Sequence, residues 1–303
     1  MTRRIAIVTD EPGWHGKKLK QAFAARGCEA RYVSLTQCHF DLAHARNPVV
    51  MQGYAPGLPD GVFVRGVPGG TLEQVILRLD ILHALRELQV PVYNDARAIE
   101  RSVDKAMTSF LLRRAGIPAP PTWVCESAAQ ARALLMRETA AGRELVLKPL
   151  FGSQGKGLRR LQSGMDIPAL QEYAGVCYLQ SFIDCGEGNW HDFRVLVADG
   201  AARAAMRRNG ANWINNVAQG GTCAKVELDA AMRKLAQDAV RALGMDYAGV
   251  DLMRDQAGRL WVIEVNGIPA WRGLQGVCEF DLAQMLADDM LARLPQASME
   301  VVC

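Results

Sequence analysis

No stretch of this 303-residue chain approaches the roughly 18 apolar residues that a membrane span requires. The start, Met1-Thr-Arg-Arg, could pass for the charged head of a secretory signal. Asp10 and Glu11 end the apolar run that follows it far too early for that. A cytoplasmic protein is expected. There is also no Cys-x-x-Cys pair. The eight cysteines (28, 38, 125, 177, 185, 223, 278 and 303) are scattered, which excludes a zinc pattern and fits free thiols in a reducing compartment. Charge of one sign does not accumulate: Lys and Arg number 35 against 32 Asp and Glu, for a formal net charge of +3. Without a basic tail, a non-specific grip on nucleic acid is not expected. No Gly-Lys-Ser/Thr opens a helix, no GxGxxG follows a strand, and no Ser–His or Cys–His pair suggests a protein nucleophile. Internal repeats and low-complexity segments are missing too.

What is present is a globular composition, 50% apolar and 22% charged, long enough for two or three compact units. The first hundred residues alternate strand and helix signals. Strands are expected at Arg4–Thr9, Ala30–Ser34, Gly61–Arg65 and Pro91–Asn94, with helices at Lys17–Arg26 and Thr71–Leu88. That order implies an α/β fold with an open, mostly parallel sheet, whose ligands lie at the carboxyl ends of strands. Arg65 sits at such an end. The segment Glu11–Gly16 reads either as a substrate-side loop or as a tight turn. Three units are expected: 1–95, then 96–183 and 184–303, both mixing α and β.

Near the end of the chain, Val250-Asp251-Leu252 is followed by Leu260-Trp-Val-Ile-Glu264-Val-Asn266. In a strand, Glu264 and Asn266 share a face, and a hairpin through the polar turn 254–259 brings Asp251 beside them. Oxygen-only ligands with incomplete coordination suit Mg²⁺, which keeps waters or takes phosphate oxygens. A solvated strand face is the alternative. Residues 152–157 read Gly-Ser-Gln-Gly-Lys-Gly, directly after an apolar strand ending in Lys148. Three glycines let backbone amides approach an anion, as in a lid over phosphates, or simply make a hairpin turn. Lys148 needs a partner if its surroundings are buried. Lys105 opens a helix after Asp104 and is either a phosphate contact or an ordinary surface lysine.

Taken in order, these pieces resemble the ATP-grasp superfamily, and within it the RimK-like glutamate ligases. The likeness runs over about residues 90–285. It is carried by Asp104-Lys105, Val146-Leu-Lys148-Pro149 with the glycine loop, Leu179-Gln-Ser-Phe-Ile183, Asp192-Phe-Arg194, Arg207-Arg208, Trp213–Asn216, Ala248-Gly-Val-Asp251 and Ile263-Glu-Val-Asn266. The resemblance implies an N-terminal pre-ATP-grasp domain and two subdomains that clamp ATP. It implies that Lys105 and Lys148 bind phosphates, with Gly152, Ser153, Gly155 and Gly157 in the lid. Gln180, Ser181, Phe182 and Ile183 would form the adenine linker, with Ser181 where relatives often carry an acid. Asp192, Asn215 and Asn216 would lie at the nucleotide edge. Asp251, Glu264 and Asn266 would hold Mg²⁺, with Mn²⁺ as an alternative. Arg194, Arg207 and Asn266 would form the catalytic set, and Arg65, Trp271 and Arg272 would meet the substrate, Trp271 as a stacking ring. Gln219 departs from the arginine that relatives commonly carry.

The chemistry implied is ATP-dependent amide formation through an acyl phosphate, adding L-glutamate to a small molecule or cofactor of the tetrahydromethanopterin type. The partners are then a small carboxylate and an amino acid, with neither nucleic acid nor membrane, and a homo-oligomer is compatible. The competing reading is a non-catalytic ATP-binding regulatory or partner-binding protein on the same fold.

Overall fold

The computed structural model describes residues 2–43, 48–152, 155–186, 188, 190–214 and 221–295. Ser153, Asn215, Asn216 and Gln219 lie outside them. The chain divides into two units. One comprises the described residues of Met1–Ile99 and Ile268–Cys303, the other Glu100–Gly267.

Unit 1 begins with β1 (Arg4–Val8), whose Ile5-Ala-Ile-Val8 run is fully buried. Helix α1 (Gly13–Ala24) follows from Pro12, so Gly13–Gly16 form its first turn and the segment 11–16 is mostly not a loop. Proline suits the start of a helix because its missing N–H would go unpaired there anyway. β2 (Glu29–Val33) is followed by a small hairpin of β3 (His39–Phe40) and β4 (Val49–Val50), then by β5 (Gly61–Val64). Helix α2 (Leu72–Glu87) starts at a capping box in which Thr71 and Gln74 satisfy each other's backbone amides. β6 (Val92–Tyr93) completes a parallel sheet ordered β2-β1-β5-β6. Val8, Val33, Val62, Val64, Ile81 and Leu85 lie in one buried cluster of this unit. Helix α3 (Ala96–Val103) spans the boundary between the units.

Unit 2 carries two antiparallel sheets. Helix α4 (Lys105–Arg114) is capped by Asp104, whose carboxylate accepts from the amides of Ala106 and Met107. The first sheet is built from β7 (Thr122–Cys125), β8 (Leu145–Lys148), β9 (Arg159–Leu161) and β10 (Cys177–Ser181), in the order β7-β10-β8-β9. Helix α5 (Ala128–Ala140) buries Ala131 and Leu135 against Leu145, Leu147, Cys177 and Leu179 of that sheet. The second sheet contains β11 (His191–Ala198), β12 (Ala201–Asn209), β13 (Thr222–Lys225), β14 (Tyr247–Arg254) and β15 (Leu260–Asn266), ordered β13-β12-β11-β14-β15. Helix α6 (Ala230–Leu243) lies against it and ends at Gly244, whose φ of 74° closes the helix in the left-handed region.

The chain then returns to unit 1 in α7 (Arg272–Gln275) and α8 (Leu282–Ala292). This corrects the expected 184–303 unit: from Ile268 onward the described chain folds with the N-terminal sheet. The cause is the apolar face of α8, where Leu282, Leu286 and Met290 are buried and the helix lies along α1. Arg26 at the end of α1 also pairs with Asp288 and donates to the Gln284 carbonyl at 2.9 Å. Leu286 is fully buried, so Leu286→Ala should destabilise the protein by about 2–5 kcal/mol, the usual range for a buried leucine truncation. Equilibrium urea unfolding measures this. A loss below about 1 kcal/mol would show that α8 is dispensable to unit 1.

Candidate active site

Strand alternation sets the polar face of the second sheet. On β11, Asp192 and Arg194 share one face and Phe193 and Val195 the other. The register carries this across: Arg194 pairs with Asp251, Asp251 with Glu264, and Asp192 with Arg208. Two irregularities make the alignment. On β15, Glu264 pairs with Asp251 but Val262 with Leu252, leaving Ile263 as the extra residue. Glu264 and Asn266 thus reach the polar face while Val262 and Val265 stay buried. On β12, Ala202 pairs with Val197 but Ala204 with Leu196, leaving Arg203 extra.

The second irregularity decides which arginine enters the site. The hairpin turns at Asp199-Gly200, both with positive φ, as a two-residue turn requires. Regular pairing from Ala198 and Ala201 would set Arg207 opposite Asp192. The extra residue at Arg203 shifts the register by one, and a one-residue slip exchanges the faces. Arg208 is therefore buried opposite Asp192, and Arg207 is exposed on the other face. The expected catalytic role of Arg207 is corrected on this ground.

Asp192, Arg194, Arg208 and Asp251 form one ion cluster. Arg194 donates from Nε and Nη2 to the two Asp251 oxygens, both at 2.7 Å. Arg208 donates to the Asp192 oxygens at 2.6 and 2.7 Å, and its Nη2 lies 2.9 Å from Asp251 Oδ2. Burial opposes ionisation of Asp251, but the two guanidinium groups hold its carboxyl down at about 2. Asp192 has the weaker share, and burial pushes it up to about 6. Asp251 Oδ1 accepts one of these arginine bonds and Oδ2 two, so Oδ1 keeps a lone pair for an ion. Among the described residues no group of three His, Cys, Asp or Glu could hold an ion. Glu264 and Asn266 share this face with Asp251, and a carboxylate and an amide oxygen are ligand types that Mg²⁺ takes. One carboxylate and one amide are enough for an ion that keeps waters and takes phosphate oxygens.

The two lysines both feel the charge of Glu264. Burial pushes Lys148 down to about 8, with Glu264 pulling the other way and Lys105 adding to the depression. Burial also lowers Lys105, opposed by Glu264 and Asp104. Lys148 donates to Gln180 Oε1 at 2.6 Å. Lys105 Nζ donates to the carbonyls of Leu150 and Gly152, at 3.3 and 2.8 Å, and so holds the entry to the glycine loop. That loop joins the antiparallel strands β8 and β9, with Gly152, Gly155 and Gly157 all at positive φ. A Cβ on Gly157 would sit 2.9 Å from Pro149 Cγ. In the linker, the amides of Ser181 and Phe182 bond to the carbonyls of Pro121 and Glu144 at 2.8 and 2.9 Å. The Ser181 hydroxyl is buried without a partner. The ring of Phe182 is covered by the Arg160 guanidinium, 4.0 Å from its centroid.

Arg65, Trp271 and Arg272 lie in unit 1. Trp271 is 1% exposed, so it is a core ring and not the free stacking surface expected. Arg65 stands 4.4 Å above it and donates to the Pro269 carbonyl at 2.9 Å. His15 meets the ring edge-on at 4.7 Å, and its Nε2 accepts from the Trp271 amide at 3.0 Å, which requires a neutral imidazole. Burial, with Arg65 and Arg272 nearby, pushes His15 down to about 4. Arg272 is exposed. Sequence reasoning missed His15 and Arg208.

Residues 3–99 match the RimK pre-ATP-grasp domain, and residues 102–290 the RimK-like ATP-grasp domain. The chain is 32% identical over 296 residues to a protein of Methanococcus maripaludis named tetrahydromethanopterin:alpha-L-glutamate ligase, covering 95% of this chain and 98% of the relative. It is 31% identical over 287 residues to a probable alpha-L-glutamate ligase of Legionella pneumophila, covering 92% of each. Among solved structures, the ATP-grasp ligase PsnB complexed with its minimal precursor, Mg and ADP superposes with a TM-score of 0.71 at 21% identity, covering 95% of this chain and 97% of that one.

Two outcomes follow from this geometry. Arg208→Leu should cost about 3–5 kcal/mol, because it strands a buried carboxylate, whereas Arg207→Ala should stay within about 0.5 kcal/mol. Urea denaturation of the two variants distinguishes them, and equal effects would refute the shifted register. His15 favours its neutral form in the fold, so its contribution is complete above the ordinary histidine value of 6.5 and declines as pH falls from 6.5 toward 4. His15→Gln should flatten that part of the curve of melting temperature against pH.

Proposed function

Because this chain belongs to the RimK-like ATP-grasp family and is an ATP-dependent carbon–nitrogen ligase, we propose that it joins the amine of L-glutamate to a carboxylate of a small acceptor of the tetrahydromethanopterin type. The observation that carries the reading is that Lys105 and Lys148 lie within electrostatic reach of Glu264, whose strand neighbour Asp251 is paired with Arg194. The acceptor class is supported by the relative named for tetrahydromethanopterin, whose whole length the chain nearly spans. A glutamate ligase without that named acceptor is similar at almost the same identity, so the amino acid is the better supported of the two substrates. The site has kept the acid, the amide and both lysines, which argues against a purely regulatory ATP-binding role.

ATP-grasp ligases use ATP with magnesium, and PsnB holds Mg with ADP. Here Glu264 and Asn266, with Asp251 beside them, would hold Mg²⁺, or Mn²⁺ in its place, and the ion when bound would neutralise phosphate charge. Lys105 and Lys148 supply fixed positive charge toward the phosphates. Gly152, Gly155 and Gly157 let the loop backbone come close to them. The Ile183 amide makes no hydrogen bond among the described residues, so of the linker amides it is the one open to an adenine nitrogen. Arg194, its fork locked on Asp251, offers its outer face to the acyl group as phosphate leaves. In unit 1, Arg272 is the exposed cation for an acceptor carboxylate. Arg65 is fixed by Pro269 and Trp271, and it keeps one orientation. Positioning and charge carry such a reaction, with no protein nucleophile required. A cytoplasmic location, where ATP is supplied, is part of the same proposal.

Incubation with ATP, Mg²⁺, L-glutamate and a tetrahydromethanopterin-type acceptor should give ADP and an acceptor heavier by one glutamyl residue in the mass spectrum. Glu264→Gln should abolish this while leaving the melting temperature intact. The loss corresponds to about 3–4 kcal/mol of barrier for a removed charge stabiliser. ADP release at the parent rate in Glu264→Gln would exclude the proposed metal site.

A further inference from the structure

The candidate nucleotide lysine on β8 is connected to helix α4 by side chains that the phosphate-binding role does not itself require. Tyr178 lies directly opposite Lys148 in the β10–β8 register, and Gln180 follows two residues on, on the same face. The amide of Gln180 has one orientation open to it. Its Oε1 accepts from Lys148 Nζ at 2.6 Å, while its Nε2 donates to Thr122 Oγ1 and to the Tyr178 hydroxyl, both at 3.1 Å. A flipped amide would turn its NH₂ toward the ammonium and its oxygen toward the hydroxyls. The Tyr178 hydroxyl, which accepts from Gln180, also shares a 2.7 Å hydrogen bond with Ser109 Oγ, in which either oxygen can donate. Hydrogen bonds therefore connect Lys148 through Gln180 and Tyr178 to Ser109. Bonds in such a chain polarise one another, which strengthens the pull of Oε1 on the ammonium.

The far end of this chain is placed with equal care. Ser109 stands four residues after Lys105 on α4, so both occupy one side of the helix. Lys105 reaches the carbonyls of Leu150 and Gly152, just beyond Lys148 on the same strand-to-loop connection. Helix α4 thus sets both lysines, Lys105 directly and Lys148 through Ser109 and Tyr178. Tyr178 and Gln180 are 2% and 3% exposed, so neither has water as an easy substitute partner.

We infer that Tyr178 is a positioning residue for ATP binding, which fixes the Lys148 ammonium through Gln180 and couples it to Ser109 on the helix that carries Lys105. The inference rests on the proposed phosphate role of Lys148, and the test separates the two. ATP affinity is measured by calorimetry with Mg²⁺ on the full chain and on Tyr178→Phe, Lys148→Met and the double variant, together with steady-state kinetics. Tyr178→Phe keeps the ring and leaves Gln180 bonded to Thr122, so the fold should be preserved with a modestly lowered melting temperature. Its ATP dissociation constant should rise roughly three- to ten-fold, the scale of one buried hydrogen bond. The KM for glutamate should not move. In the Lys148→Met background the same substitution should have no further effect on ATP, because the group it acts through is gone. Ser109→Ala should reproduce a part of the loss. If Lys148→Met itself leaves ATP affinity unchanged, the phosphate role of Lys148 is wrong. If Lys148→Met weakens ATP but Tyr178→Phe does not, or does so equally in both backgrounds, the positioning role of Tyr178 is wrong.

Discussion

Two carboxylates and two guanidinium groups, largely buried on one sheet face, constrain most of what surrounds them. Burying four charges is expensive, and their attraction offsets that cost only with good geometry. Arg194 on Asp251 and Arg208 on Asp192 both have it, as two-pronged pairs at 2.6 to 2.7 Å. A sheet register one residue out on either flanking strand would strand a charge inside. The cluster is therefore better understood as a device for alignment than as a source of stability. It also divides the acids of the site by function. Asp251 is neutralised by arginine, whereas Glu264, directly across from it, retains its charge for the lysines and for whatever binds there.

The lysines stand in an unusual balance. Lys148 has lost much of its hydration, and one amide oxygen together with the more distant charge of Glu264 restores only part of what burial removes. A polyphosphate would supply the missing compensation. Under the proposed role, the site is therefore under-neutralised by construction, and its affinity for an anion comes from charge that the fold leaves uncompensated. The glycine loop fits the same logic. Its carbonyls at 150 and 152 hold Lys105, so a change in that loop is felt at once by this lysine.

How far the sequence discloses this can be traced residue by residue. Local signals were sufficient for the helices: Thr71, Asp104, Ser127, Asp229 and Asp281 each accept from a backbone amide of the helix they precede. The hairpin of β14 and β15 was legible from strand period and a polar turn. The exchange of Arg207 for Arg208 was not, because it depends on one extra residue at Arg203 that no composition signals. Nor was the return of α8 to the first unit, since an apolar helix face does not name the surface it will cover. Trp271 misled for a related reason. A Trp-Arg pair after a metal-type strand suggests a ring and a clamp over a substrate, yet burial depends on what folds around the ring, and here that includes Arg65 and His15.

The buried Trp271 has its own consequence for recognition in unit 1. It gives Arg65 a π-face and a neighbouring carbonyl, and a guanidinium fixed on two sides loses little further entropy when it binds. His15 stays neutral because burial disfavours its charged form and both neighbouring arginines add to that. The neutral imidazole is free to accept from the Trp271 amide. Two arginines of different freedom result: Arg65, immobilised, can impose an orientation, and Arg272, exposed, can adjust to what arrives. A planar carboxylate matches such a pair better than a spherical anion does, because the fork of a fixed guanidinium rewards two coplanar oxygens. Acceptor selectivity in this unit would then reside in the rigidity of Arg65, which depends on Trp271 although that ring itself is closed to any ligand.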